Sequence, residues 1–151
     1  MISRLLPALL VLMAPLSPLL AQGNAQATVE ARQANFKSIA RANKGVQDEL
    51  RKSSPAIAVL RTNAADLQAA SERIAGFFPA GTGPDTGIKM EALPAIWQNP
   101  KGFTEAADRH VAAVRALNAA VAGGDMARIR AAADAIGPTC KNCHDSFRLA
   151  K

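Results

Sequence analysis

Residues 57–78 read IAVLRTNAADLQAASERIAGFF. Small or apolar side chains recur at Ile57, Leu60, Ala64, Leu67, Ser71, Ile74 and Phe78, in unbroken steps of three and four. With 3.6 residues per turn, that spacing draws one stripe along an α-helix. Alternating steps of three and four form the seam of helices packed side by side at a shallow angle. Ser53, Ser54 and Pro55 end the preceding helix and open this one, and PAGTGPDTG from Pro79 to Gly87 has loop composition.

The same period recurs in three more segments. Val29, Phe36, Ile39, Val46 and Leu50 make the first stripe, with Arg32 and Asn43 at its two intervening seam positions. Phe103, Ala107, His110, Val114, Leu117 and Val121 make the third, closed by Gly123 and Gly124. Met126, Ile129, Ala133, Ile136, Cys140, Cys143 and Phe147 make the fourth. Between the second and third, ALPAIWQNP reads as a short irregular or single helical turn. Four helices of about six turns each, mostly on short connections, predict an all-α, antiparallel up-down-up-down bundle. Pro138, inside the fourth helix, should bend its axis or loosen a turn.

Composition agrees with helix. The chain has 151 residues, of which 49% are hydrophobic and only 4% aromatic, with no tyrosine. Abundant alanine favours helix, and scarce aromatics speak against a sandwich or barrel. Arg4 precedes an apolar run ending near Leu20, the layout of a secretory signal peptide. The run falls short of the ~20 apolar residues of a spanning helix, so no stable membrane anchor is expected. Residues 1–21 are read as the leader and 22–151 as one domain. Cleavage after Ala21 leaves Gln22 first, and cleavage after Ala27 leaves Thr28 first. Without Arg4, 17 basic residues face 12 acidic ones, spread along the chain. That dispersed excess is a solvated surface, and no nucleic-acid partner is expected.

Cys140-Lys141-Asn142-Cys143-His144 carries the chemistry. Two thiols three positions apart on a helix can each add to a vinyl group of haem, and the adjacent histidine then ligates the iron. Zinc would need two more ligands, with only His110 left as a further histidine, and a thioredoxin-type site would want a βαβ setting. One covalent haem c per chain is the reading. A buried guanidinium at a seam position needs an anion, so Arg32 is assigned to a haem propionate, beside Gln33; the alternative is an arginine snorkelling out at the helix start. Phe36, one turn on, is expected over the face opposite His144, where it cannot bind iron; ordinary core packing is the alternative. Met126 precedes His144 by 18 residues, about 27 Å along one helix, and is out of reach. Met90 in the connection stays open as a sixth ligand. His110 reads as a core or boundary residue, and Trp97 as a lid on the bundle.

These segments resemble a family. VEARQANFKSI, FFPAGTG, AIW and GPTCKNCHDSFR together are similar to the class II cytochromes c, specifically cytochrome c′, over nearly all of the mature chain. The resemblance implies Arg32 and Gln33 at the propionates, Glu91 near them, Phe36 as the distal residue and Arg148 close to the proximal histidine. It implies five-coordinate iron that binds NO and CO, and a homodimer built largely through the first two helices. The expected protein is a periplasmic gas-binding haem protein capable of electron transfer. The alternative is a dedicated electron carrier with six-coordinate low-spin haem. An enzyme is not expected, because a peroxidase needs a distal acid–base group. The redox partner is left unassigned.

Overall fold

Each of the four stripes is a helical segment, and the boundaries follow from local chemistry. The computed structural model describes residues 18–150; the expected leader lies outside the described residues except for 18–21, which open the first helix. The helices are α1 Pro18–Leu50, α2 Ile57–Ser71, a single turn α3 Ala95–Gln98, α4 Pro100–Gly123, α5 Met126–Asp134 and α6 Ile136–Phe147. Two 3₁₀ turns lie in the long connection, at Ala75–Phe77 and Pro84–Thr86. Among the described residues there is no strand, only an isolated antiparallel bridge between Ala92 and Arg148. No helix among them is long and apolar enough to cross a membrane.

Caps set several ends. Asn99 Oδ1 accepts from Gly102 N at 3.0 Å and Pro100 follows it, so α4 starts there. Gly124, at φ 74°, ends α4 in the left-handed conformation that glycine adopts without strain. Asp125 Oδ1 accepts from Ala127 N and Arg128 N at 2.9 and 3.3 Å to open α5. At the first corner, the buried Glu49 carboxylate accepts from Ala56 N at 2.7 Å, just before α2, and from Lys52 Nζ at 2.6 Å.

Three boundaries differ from the sequence reading. The first helix begins at Pro18, ahead of Val29, and buried Ala25 extends its stripe by one step. The second helix stops at Ser71, short of Phe78. Gly76 weakens helix and Pro79 disfavours it in the residue before, so the chain tightens into a 3₁₀ turn. Ile74 stays buried and Phe78 half-buried, so the stripe outlives the helix. The fourth helix is broken at Ala135 into α5 and α6. Pro138 has no N–H for the Asp134 carbonyl, which locates the break one turn upstream of the proline.

The packing is antiparallel throughout. Asn35 Nδ2 donates to Ala70 O at 2.9 Å, while further along α1 Gly45 lies against Asn63. On the next pair, Asn118 Nδ2 donates to Ala64 O at 2.8 Å and His110 meets Ser71 at 3.0 Å. His110 also meets Thr139, and Phe103 meets Phe147, joining α4 to α6. Arg130 Nη1 donates to Leu50 O at 2.6 Å, closing α5 onto the end of α1. This is the up-down-up-down four-helix bundle, with Val46, Leu60, Leu67, Val114, Leu117, Ile129 and Ile136 sealed in its centre.

Candidate haem attachment site

Cys140, Cys143 and His144 all lie on α6. The two thiols are half-buried, unbridged, and packed against the core from one helical face. Burial pushes both thiols up, so both remain S–H near neutral pH. His144 is exposed, and desolvation together with nearby Arg148 holds its pKa below the usual value. A neutral imidazole keeps a lone pair for a metal. Among the described residues, no group of three His, Cys, Asp or Glu side chains gathers around a metal-sized space. Paired thiols beside a histidine are a donor set that fits covalent haem.

The end of α6 is clasped to the connection. Arg148 Nε donates to Glu91 Oε2 at 2.8 Å, and Nη2 pairs with the same oxygen. Leu149 N donates to Glu91 O at 2.8 Å and Leu93 N to Phe147 O at 3.0 Å. Glu91 and Arg148, read separately from the sequence, are thus one ion pair beside the shallow depression formed by His144, Asp145, Leu149 and Ala150.

Arg32 is 4% exposed and reaches from α1 into the long connection. Nε donates to Phe77 O at 2.9 Å, and Nη2 donates to Thr82 O at 3.1 Å and Thr82 Oγ1 at 2.7 Å. The guanidinium carbon also lies 4.2 Å from the Phe78 ring centroid and 5.5 Å from that of Trp97. Arg32 therefore does not snorkel out. Among the described residues no carboxylate pairs with it, and Nη1 meets only Met90 Sδ, at 3.7 Å. A buried cation with one amino group short of an oxygen acceptor suits a carboxylate-bearing cofactor. Gln33, its neighbour, is exposed.

Phe36 is half-buried and begins an aromatic row. Ring centroids run 6.3 Å to Phe78, 4.7 Å on to Phe103 and 5.4 Å on to Phe147, all edge-to-face. Trp97 leans on Phe78 at 5.8 Å, and its Nε1 donates to Pro79 O at 3.1 Å, so it packs as the expected lid. His110 is buried, with a hydroxyl at each ring nitrogen. Thr82, the centre of the Arg32 fork, gave no sequence signal, because a threonine in a Gly-Pro-rich loop looks like ordinary loop composition.

The family model described as Cytochrome C' matches residues 27–148. Cytochrome c′ of Rubrivivax gelatinosus is 48% identical over 68 residues, 45% of this chain and 53% of that protein, so the chain spans about half the length of that relative. Cytochrome c′ of Pararhodospirillum photometricum is 32% identical over 124 residues, 82% of this chain and 97% of that one. Among solved structures, a nitric oxide complex of a cytochrome c prime variant from Alcaligenes xylosoxidans superposes with a TM-score of 0.76 at 25% identity, covering 83% of this chain and 97% of that one. With the bundle, the paired thiols and the adjacent histidine, these likenesses lead to one conclusion: the chain belongs to the cytochrome c′ family, whose members carry covalently bound haem c.

Proposed function

We propose that this protein is an exported, periplasmic haem c protein with five-coordinate, high-spin iron. It takes up small neutral gases, NO and CO, at an apolar distal face. The observation that carries this reading is that Met90 and His110, the candidate sixth ligands within reach, are engaged elsewhere. Phe36 occupies the α1 position expected over the distal face and has no lone pair to give. Met90 directs its sulfur at Arg32 Nη1, and both His110 nitrogens meet hydroxyls. Haem iron supplies an open coordination position and a one-electron couple. In this reading Cys140 and Cys143 hold it by thioether bonds and His144 is the axial ligand. Arg32, with Gln33 and Glu91 nearby, faces the propionates, and Arg148 stands on the proximal side. The nitric oxide complex of the Alcaligenes relative supports the ligand class. Phe36 itself offers no acid–base group, which argues against peroxidase-type catalysis.

Electron transfer is the second reading. Exposed His144 and half-buried Cys140 and Cys143 put the attachment segment at the surface, where a redox partner can approach. The groove between α1 and α2, lined by Ser38, Arg41, Asn63, Asp66 and Arg73 beside small alanines, lies on the two helices through which the family resemblance implies a homodimer. An optical spectrum of the purified holoprotein, with and without CO, separates the readings. High-spin bands that shift on CO addition are expected; a six-coordinate low-spin spectrum in both oxidation states overturns the gas-binding reading. Phe36→Met should move the iron towards low spin, and no movement would mean that Phe36 does not face it.

A further inference from the structure

His110 sits on the α4 seam, 5% exposed, and one imidazole joins three helices. Nε2 lies 3.0 Å from Ser71 Oγ at the end of α2, and Nδ1 lies 3.0 Å from Thr139 Oγ1 on α6. The partners fix the tautomer. Thr139 commits its hydroxyl hydrogen to Ile136 O at 2.7 Å, so its oxygen accepts from the ring. Nδ1 therefore carries the N–H, Nε2 holds the lone pair, and Ser71 donates to it. Burial favours this neutral ring. The same Nδ1 lies 3.9 Å from Cys140 Sγ, within the longer reach of an N–H···S contact.

The location matters because the backbone is loosened here. Pro138 removes a helical N–H, and α6 restarts at Ile136, only four residues before Cys140. Cys140 lies on α6 just after that break, with its backbone inside the helix. His110 adds a side-chain contact to this segment from α4, through Thr139 Oγ1 and Cys140 Sγ.

We propose that His110 is a positioning residue for haem attachment, its Nδ1–H fixing Thr139 and Cys140 Sγ at the start of the motif. In attachment, each cysteine S–H adds across a vinyl C=C. Sulfur bonds one carbon and the hydrogen goes to its neighbour, so no oxidant or reductant is consumed. A misplaced Cys140 sulfur would leave a vinyl group unreacted and the haem held by Cys143 alone. The inference rests on the family's covalent haem and not on the gas-binding reading.

The test is the attachment state of the full chain, matured with its leader in an exporting cell. Free Cys140 is alkylated with iodoacetamide after denaturation and read by peptide mass. The pyridine haemochrome α-band counts the remaining vinyl groups. His110→Gln keeps an amide towards Ser71 and loses the donor towards Thr139 and Cys140; a several-fold rise in alkylated Cys140 is expected, with Cys143 still attached. His110→Asn keeps a donor near the Nδ1 position and should rescue attachment, and Ser71→Ala should attach normally. Full attachment in His110→Gln overturns the proposal, as does an equal rise in Ser71→Ala. If His110→Gln does not accumulate, Thr139→Val decides: a selective rise at Cys140 supports the proposal, and wild-type attachment overturns it.

Discussion

Replacing Arg32 by methionine tests how the long connection is held to the bundle. The substitution keeps an apolar stem of similar length and removes the fork of donors. Three hydrogen bonds are lost, to Phe77 O, Thr82 O and Thr82 Oγ1. Each charge-assisted bond contributes ~1.5–3 kcal/mol net, giving roughly 4–9 kcal/mol before offsets. The offset is large, because the variant no longer desolvates a guanidinium. Thr82 Oγ1 also keeps its own bond to Pro79 O at 2.8 Å. The two orphaned carbonyls then dominate, at ~1–3 kcal/mol each, with ~1 kcal/mol more from the lost contact over the Phe78 ring. A net destabilisation of about 2–4 kcal/mol follows, or a fall in Tm of about 10 °C for a domain of this size. The assay is thermal unfolding of the holoprotein by far-ultraviolet circular dichroism, paired with limited proteolysis between Phe77 and Met90. Cleavage there should accelerate below the global transition, because the clamp is local. Arg32→Lys should recover only part of the loss, since an ammonium cannot span Phe77 O and both Thr82 oxygens. Thr82→Val should cost less than Arg32→Met, and the double variant should fall short of the sum. A melting temperature within about 2 °C of the parent, with unchanged proteolysis, would refute the clamp.

Two further outcomes follow from the bundle. Hydrogen bonds from Ala56 N and Lys52 hold the Glu49 carboxyl below its ordinary value near 4.5. A depressed folded pKa stabilises the protein above the unfolded value, and the stability is lost as pH falls through the folded one. The parent should therefore melt above Glu49→Gln at pH 7 and converge with it in acid; parallel Tm curves down to pH 3 would show that Glu49 is not linked to folding. Leu117 is fully enclosed between helices, and Leu117→Ala should cost about 2–5 kcal/mol in urea unfolding at unchanged m-value. A loss under about 1 kcal/mol would mean that the seam repacks freely.

The sequence is most legible where the determinants are local. Helical stripes are periodic, so Leu60, Leu67, Val114, Leu117, Ile129 and Ile136 could be placed in the core from spacing alone. That Cys140, Cys143 and His144 share one helix was legible for the same reason, since they lie within five positions of each other. Arg32 was legible as an anomaly, a charge on an apolar seam, and it is indeed buried; its partners were not. Phe77, Thr82 and Met90 lie 45 to 58 residues away, and no period links a guanidinium to a loop carbonyl. The early end of α2 shows a related gap. The stripe to Phe78 is real, but a 3₁₀ turn carries its last step, because Gly76 and Pro79 outweigh the periodicity. Glu49 over Ala56, the Glu91–Arg148 clasp and the His110 fork likewise join groups that share no pattern along the chain. Periodic burial and short covalent spacing are written in neighbouring residues, so amino-acid order was enough for the bundle and the attachment motif. Polar partnerships across the core depend on which helices meet and at what height, and those became defined only when the four helices packed.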